Sequence, residues 1–335
     1  LNRKIRGTIG YYYRYTRDAF LSKKVSVVNG VEAYTVNEGN LRNQGYELTL
    51  NFMPVNTATS LNGQQRGIVW RFDPNFGSVF NQLIDKVKRK DRVLQDEVKY
   101  EDYLNGKVQV AGRPVNTFYS YRFKGLNPEN GWPEFKYLET TEGQSYDGDM
   151  TSFLVYSGQK DPYFTGGLNL GIRYKSLNLN SSFALLLGGK KRLPSPYANF
   201  TGGTKLPNPE TNVNKDVAKR WKKPGDEKVT DIPALIKGLN YSFTRPDGQP
   251  QDYIAAWEQS DYMVVNASFL RCRQISLAWN VERRLCQKIG VNSISLNATV
   301  NNIFVIASKR FNGFDPEVDN SVMPRTFSAG INIGF

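Results

Sequence analysis

Few residues of this chain have the type and spacing that covalent or metal chemistry requires. The 335 residues include no histidine, which removes Ser-His-Asp and Cys-His catalysis and imidazole ligation from this stretch. No pair of carboxylates has a spacing that singles it out for glycoside hydrolysis, and Asp147-Gly148-Asp149 is too short for a calcium loop. We therefore predict no catalytic site, no metal site and no cofactor, and we expect that the chain is not an enzyme.

The two cysteines, Cys272 and Cys286, are the remaining candidates for covalent chemistry. They lie fourteen residues apart, and if they flank one extended strand their separation is roughly 45 Å at about 3.3 Å per residue. A disulfide needs its two Cα atoms within about 7 Å of each other. We therefore predict two free thiols.

Alternation of apolar and polar residues identifies the elements that position these side chains. At the end of the chain, Phe327, Ala329, Ile331, Ile333 and Phe335 alternate with polar or small residues over ten positions. Ten residues is the length of one tilted transmembrane strand. A half-buried strand of a soluble β-sandwich would alternate in the same way, so this pattern alone leaves both classes open.

Seven further stretches alternate similarly, which makes about eight strands. They lie around residues 5–15, 46–52, 68–72, 168–174, 177–187, 275–281 and 293–301. Pro74 interrupts the strand that starts at Ile68. Because proline cannot donate a ladder hydrogen bond, we expect a strand end or a bulge at that point.

The connections between these strands alternate in length. Short ones fall near residues 54–65, 174–176 and 282–290, and long ones cover about 16–40, 81–162, 188–263 and 305–322. Outer-membrane barrels have short periplasmic turns and long extracellular loops, whereas a soluble sandwich has no reason to segregate loop lengths. We therefore predict an all-β fold, namely an antiparallel transmembrane β-barrel segment with long extracellular loops and short periplasmic turns.

Composition agrees with this class. The net charge is +13 and 39% of residues are hydrophobic, but no stretch approaches the roughly 18–20 apolar residues that a membrane helix needs.

The positive charge is concentrated in two long loops, at residues 86–92 and 215–228. These loops form a solvated surface, or they contact lipopolysaccharide phosphates or an anionic nutrient. Nucleic-acid binding is not predicted, because no known binding module accompanies the charge.

Several motifs, in order from about residue 10 to residue 335, resemble the SusC/RagA family of TonB-dependent outer-membrane transporters. Two residues differ from the family's usual pattern: Cys272 stands where a bulkier apolar residue is usual, and Ala329 stands where leucine is usual. The motifs are NLRNQGYE at 40–47, FYSYRFKGLNPENGWP at 118–133, RWKKPGDE at 220–227, NASFLRCRQISL at 266–277, NNIF at 301–304, FNGFDPE at 311–317 and PRTFSAGINIGF at 324–335.

The resemblance implies the rest of a larger protein. Family members are 22-stranded barrels with an N-terminal plug domain and a TonB box, so residues 1–335 are expected to be the C-terminal part of the barrel, about eight strands, without the plug, the TonB box or the signal peptide. The implied function is TonB-energised import of an oligosaccharide or peptide across the outer membrane of a Gram-negative, Bacteroidetes-type bacterium, with a SusD-like surface lipoprotein as partner. The alternatives are a plug-less structural or adhesive outer-membrane barrel, and a soluble β-rich glycan-binding protein or enzyme.

Aromatic and charged residues of the long loops are the candidate nutrient contacts, because sugars are usually held by aromatic faces and by hydrogen bonds from Asn, Asp and Arg. Each of them could instead pack a loop or contact the lid lipoprotein. The candidates are Trp221, Tyr241, Tyr253, Trp257, Tyr262, Arg310, Phe311 and Asp315.

An aromatic girdle facing lipid is also expected. Phe52, Tyr174, Trp279 and Phe335 are predicted near the periplasmic interface, and Tyr11, Tyr13 and Tyr15 near the outer one. Phe335 further resembles the terminal signal that the outer-membrane assembly machinery reads.

Two arginines of the Cys272 strand need a separate prediction. Arg271 and Arg273 share the predicted face of Ile275 and Leu277, where each would cost about 2–4 kcal/mol at mid-bilayer. We therefore expect both to stand above the hydrocarbon.

Overall fold

A computed structural model describes most of the chain. The described residues are 4–24, 33–37, 39–61, 64–85, 100–136, 153–198, 200–201, 206–207, 209–210, 212–235, 242–246, 248–318 and 321–335. The basic segment at 86–92 and the candidate Tyr241 lie outside them.

Strands dominate the described residues. Three short helices accompany them: α1 (Tyr100–Asn105), α2 (Tyr253–Glu258) and α3 (Arg283–Lys288). None of the described helices is long and apolar enough to cross a membrane. Short 3-10 turns span Lys215–Lys219, Asp226–Lys228, Asp261–Met263 and Lys309–Phe311. The strands are β1 (Ile5–Thr16), β2 (Phe20–Lys24), β3 (Ala33–Asn37), β4 (Asn40–Asn56), β5 (Thr59–Leu61), β6 (Gln64–Arg66), β7 (Ile68–Ser78), β8 (Phe80–Asp85), β9 (Thr117–Tyr121), β10 (Phe123–Leu126), β11 (Pro133–Phe135), β12 (Leu154–Gln159), β13 (Pro162–Tyr174), β14 (Leu177–Gly188), β15 (Lys190–Arg192), β16 (Phe200–Thr201), β17 (Leu206–Pro207), β18 (Ser242–Thr244), β19 (Pro250–Asp252), β20 (Val264–Asn266), β21 (Phe269–Asn280), β22 (Ser293–Ala307) and β23 (Thr326–Gly334).

One large antiparallel sheet, here called the wall, contains nine of the described strands. Its order is β1-β4-β7-β13-β14-β21-β22-β23, and β8 continues β7 by pairing with the first part of β4. Neighbours in the sheet are therefore neighbours in the chain, as in an up-and-down barrel. Counting β7 and β8 as one stave gives eight, and the prediction of about eight strands is confirmed.

The connections between staves alternate in length as predicted. β13 turns into β14 through Lys175 and Ser176 alone, with Lys175 in the left-handed region at φ 52°. The connection from β21 to β22 holds only α3 and its flanks, and the one from β4 to β7 holds only the β5–β6 hairpin. All the short connections lie at one end of the wall, here called the short-turn end, and all the long ones lie at the other.

The wall has one apolar and one polar face. A row of paired residues crosses six strands on the apolar face: Trp70, Ile172, Leu179, Leu277, Ala298 and Ala329. The adjacent row on the other face is Arg71, Gly171, Asn180, Ser276, Thr299 and Ser328. Leu277 is 42% exposed and Ile331 is 58% exposed on the apolar face. Nothing in the described chain covers this face, as expected of a surface whose solvent is lipid.

Pro74 does not end its strand, so that prediction is wrong. β7 continues through Pro74, which pairs in register with Leu168 of β13. On the β4 side, pairing skips from Thr49↔Asn75 to Phe52↔Phe72. The missing N–H of Pro74 is thus accommodated by an interrupted ladder with β4, and the bulge lies further along, between Phe52 and Val55.

The predicted face of Arg271 is also wrong, because β21 contains a bulge at Arg273. Ser182 pairs with Gln274, but the next residue, Phe183, pairs with Cys272, so Arg273 is left over. The extra residue reverses the alternation. Arg271 then pairs with Ala184, on the face of the polar row, and is 3% exposed. Arg273 itself is exposed.

The hydrophobic core lies in the long connections rather than in the wall. The described residues of the connections β8–β13, β14–β21 and β22–β23 pack together into a unit that we call the cap. Its core is aromatic: Tyr121 stacks on Tyr100 with ring centroids 6.2 Å apart and meets Phe135 at 5.7 Å. The cap is therefore a folded unit, held at the long-connection end of the wall.

Both cysteines, Cys272 in β21 and Cys286 in α3, are buried and free, as predicted.

Candidate functional site

A recess of about 390 Å³ in the cap brings four of the eight predicted candidates together. Trp257, Tyr262, Arg310 and Phe311 all line it, although they come from two different connections. Trp257 lies on α2 and Tyr262 in the next 3-10 turn, while Arg310 and Phe311 form the 3-10 turn after β22. We call this the cap recess.

Arg310 and Tyr262 form the charged and aromatic edge of the cap recess. The guanidinium lies 4.8 Å from the centroid of the Tyr262 ring and donates to the carbonyl oxygens of Tyr262 and, at 3.3 Å, of Val264. Burial and the nearby carboxylate of Asp231 raise the pKa of the Tyr262 hydroxyl. Tyr262 is therefore a neutral hydrogen-bonding group beside a fixed cation.

Polar residues that sequence reasoning missed complete the cap recess. Asp216 accepts from the Lys219 ammonium at 2.8 Å and from the Asn312 amide at 2.9 Å. This last contact links the β14–β21 connection to the β22–β23 connection. In the sequence, Lys219 and Asp216 belong only to a basic segment. Nothing in that segment predicts their contact with Asn312, because only the fold brings the two connections together. The recess thus offers cations, an amide and aromatic edges, which suit a polar ligand such as a sugar or a peptide.

Trp257 and Phe311 are buried beneath this recess. Trp257 is 1% exposed, meets Tyr197 at 6.2 Å and meets Tyr262 at 5.7 Å between ring centroids. Phe311 is also buried. Both residues shape the floor of the recess, and they pack the loops at the same time.

Three other candidates lie away from the cap recess, each in a packing role. Trp221 covers Gly131, which adopts φ +70° and leaves room for the indole ring. Tyr253 packs between Trp132, at 5.2 Å, and Phe243, at 5.0 Å. Asp315 is buried and ion-paired with Arg271. Tyr241 lies outside the described residues.

The predicted girdle residues lie on the apolar face or at the ends of the wall strands. Tyr11 pairs with Tyr46, and with Tyr13 and Tyr15 it lies toward the long-connection end. Phe52, Tyr174 and Trp279 lie toward the short-turn end, where Tyr174 pairs with Leu177 and Leu177 with Trp279. Phe335 follows β23 and is 88% exposed. These positions suit a girdle, which stays a prediction.

The polar face of the wall forms a second recess, of about 400 Å³. Arg71, Asp73, Asn169, Asn180 and Gln274 line it. Asn51 donates to Asp73 at 3.4 Å on the same face. Within the described ranges, no cluster of three or more cysteines and carboxylates could hold a metal ion. Both recesses are therefore lined by hydrogen-bonding side chains.

Comparison with known proteins identifies relatives of this chain among outer-membrane receptors. No protein-family model matches the chain. It is 28% identical over 353 residues to the TonB-dependent receptor SusC of Bacteroides thetaiotaomicron, a match that covers 100% of this chain and 30% of SusC. It is 24% identical over 357 residues to the TonB-dependent receptor P3 of Formosa agariphila, covering 97% of this chain and 32% of that receptor.

Solved structures show the same fold. The structure of the RagAB peptide transporter matches with a TM-score of 0.68 at 19% identity, over 100% of this chain and 33% of that one. The RagAB peptide importer in its open-open state matches with a TM-score of 0.67 at 20% identity. The chain spans about a third of the length of these relatives. In sequence and fold, the chain is thus homologous along its whole length to SusC-type TonB-dependent receptors and forms an antiparallel β-barrel segment of their kind.

Proposed function

We propose that the chain forms part of the barrel wall and the outer loops of a TonB-dependent importer in the outer membrane. The observation that carries this proposal is the pair of adjacent rows across the wall, apolar on the uncovered face and polar on the other. A wall of this kind suits lipid outside and a wet lumen inside. The described wall ends in unpaired edges at β1 and β23, so further staves are needed to close a barrel.

The cargo in this proposal is an oligosaccharide or a peptide. The cap recess carries Tyr262, Arg310, Asp216 and Asn312 at the end of the wall where the long connections lie. In the proposed orientation that end faces outward and the short-turn end faces the periplasm. A SusD-like surface lipoprotein is the proposed partner over the cap, and TonB is the proposed energy source, acting through parts of the protein beyond these residues.

Uptake by the full-length receptor tests the proposal. Cells that depend on this receptor for a labelled oligosaccharide or peptide pool should accumulate label only when TonB is intact. Removal of the neighbouring lipoprotein should lower uptake, whereas a distant outer-membrane protein should be dispensable. Uptake that is unchanged without TonB would reject the importer and favour a plug-less barrel.

A further inference from the structure

A third cavity, of about 630 Å³, lies where the cap meets the wall. Leu186 and Phe269, a cross-strand pair, form its wall side, and Phe118 and Leu104 form its cap side. Pro162 and Gly188 pair at the long-connection ends of β13 and β14, and both line the cavity. We call it the basic pocket, because Lys160, Lys190, Lys191 and Arg192 all line it.

The basic pocket opens on the polar side of the wall. Leu186 follows Asn180, Ser182 and Ala184 at every second position of β14. Because alternate residues of a strand share a face, Leu186 lies on the face of the polar row. Phe269, its pair, shares that face beyond the Arg273 bulge. A ligand in the lumen would therefore reach this pocket without crossing the lipid-facing surface.

Neutral acceptors hold Lys160 and Arg192, and one contact of Lys191 is of the same kind. Lys160 donates to the carbonyl of Asn105 at 2.8 Å, and Lys191 donates to the carbonyl of Pro316 at 2.9 Å. Arg192 donates at 3.0 Å to each of the carbonyls of Leu104 and Tyr119 and to the hydroxyl of Ser120.

The carboxylate that lines the basic pocket is already engaged. Glu317 lies 2.8 Å from Arg271. Over the described ranges, no carboxylate lies within ion-pair distance of Lys160, Lys190 or Arg192. The pocket therefore carries an excess of positive charge.

Among the residues that the structure describes, Arg192 has no carboxylate partner and keeps one nitrogen without a hydrogen bond. Its guanidinium lies 5.2 Å from the centroid of the Phe118 ring, and its buried Nε has no hydrogen-bond partner in the described structure. Burial lowers the pKa of Arg192 to about 10, so it stays charged at neutral pH. A charge removed from water is ordinarily paired, because its desolvation is costly. An anion in the pocket would supply that partner.

We infer that the basic pocket binds a carboxylate of the imported cargo. The chemistry fits, because lysine and arginine bind carboxylates through charge-assisted hydrogen bonds, and the apolar walls from Phe118, Leu186 and Phe269 fit the carbon skeleton that bears it. The carboxylate has two sources: a uronic acid of an oligosaccharide, or an acidic side chain or terminus of a peptide. This inference rests on the proposed import function.

Paired probes test it on the full-length receptor with its lipoprotein. The sugar pair is a trigalacturonate and its trimethyl ester, and the peptide pair is Ala-Glu-Ala-Glu-Ala and the C-terminally amidated Ala-Gln-Ala-Gln-Ala, which has no carboxylate. Titration calorimetry measures each Kd. We expect one acid probe to bind about tenfold more tightly than its neutral partner. In the double variant Lys160→Gln, Lys190→Gln this preference should fall to about twofold or less, because both ammonium groups leave the pocket while Arg192 keeps its structural contacts.

The matched control is the double variant Lys222→Gln, Lys223→Gln, which removes the same charge from exposed positions of the cap outside the pocket. It should keep the wild-type preference. Equal or undetectable binding of each acid probe and its neutral partner overturns the inference, as does a preference that survives the pocket variant. TonB-dependent uptake, measured on the same strains, separates the two levels: uptake of neutral cargo with no acid preference overturns the pocket alone, whereas uptake that does not need TonB overturns the import function.

Discussion

Arg271 donates a hydrogen bond of 2.6 Å to the carboxylate of Asp315, 44 positions further along the chain. The same guanidinium nitrogen lies 2.8 Å from Glu317, and the side chains of Arg271 and Asp315 are each 4% exposed. Arg271 belongs to the wall strand β21 and Asp315 to the connection before β23, so this buried pair fastens the last long connection to the polar face of the wall.

Breaking the Arg271–Asp315 pair should loosen the cap. The variant Asp315→Asn leaves Arg271 buried with only Glu317 as a carboxylate partner, and loss of one member of a buried pair costs about 3–5 kcal/mol. We expect a lower thermal unfolding temperature for the full-length receptor and faster proteolysis within residues 308–325. The control is Glu134→Gln, which breaks the half-exposed pair with Lys124 and should cost less than about 1 kcal/mol. Equal effects of the two variants would contradict the assigned role.

The same pair predicts acid sensitivity of the loop. Burial by itself raises the pKa of Asp315, but hydrogen bonds from Arg271 and from the backbone of Glu317 and Val318 outweigh it and hold that pKa below its usual range. The stabilisation is thus fully present above the ordinary pKa of about 4 and is lost as pH falls through the lower folded-state value. Proteolysis of residues 308–325 by an acid protease should accelerate in that range, and Asp315→Asn should show a flatter pH profile.

Gly131 should tolerate no side chain, because it lies under the indole ring of Trp221. An added Cβ would overlap that ring, and the φ of +70° is itself unfavourable for other residues. Gly131→Ala should lower the stability of the cap, which intrinsic tryptophan fluorescence during thermal unfolding would report. Gly112→Ala is the matched control, since Gly112 has φ +82° with nothing within 4 Å of its added Cβ. Gly112→Ala introduces the same backbone strain without the overlap, so it should lower the unfolding temperature less than Gly131→Ala does.

A charge on the apolar face of the wall should impair assembly. Leu277→Arg places a guanidinium in the apolar row, between Leu179 and Ala298, and arginine at the bilayer midplane costs about 2–4 kcal/mol. The control Ala278→Arg places the same charge one residue away on the polar face. Heat-modifiable mobility on gels should show less folded barrel for the first variant and near-normal amounts for the second. The reverse order would mean that the faces are assigned the wrong way round.

The period-two pattern was sufficient to predict the staves, because one face of the wall is apolar and the other polar in every strand that the rows cross. It failed at Arg271, since the bulge at Arg273 depends on pairing with β14 and β22 rather than on local composition. It failed at Pro74 for a similar reason, because the interrupted ladder with β4 accommodates the proline. Four of the seven motifs that carry the family resemblance supply the residues of two such long-range contacts, Gly131 with Trp221 and Arg271 with Asp315.

The candidate site was predictable only as a region. Aromatic residues in long loops fit either a ligand surface or a loop core, and Trp257 and Trp221 are buried in packing while Tyr262 and Arg310 line the cap recess. The partners Asp216 and Asn312 meet from connections 96 positions apart. Lys160 likewise joins Lys190 and Arg192 only because β13 and β14 pair. Such contacts cannot be predicted from the spacing of residues along the chain.

Site-directed spin labels measure which face of the wall contacts lipid and which contacts water. Single cysteines at Leu277, Ile331, Ser276 and Asn332 of the full-length receptor in bilayers, with Cys272 and Cys286 replaced, would each carry a nitroxide. Leu277→Cys and Ile331→Cys should be more accessible to oxygen, which partitions into lipid, and Ser276→Cys and Asn332→Cys to a water-soluble nickel chelate. The same accessibility at all four positions, or the opposite alternation, would mean that the apolar face of the wall does not contact lipid.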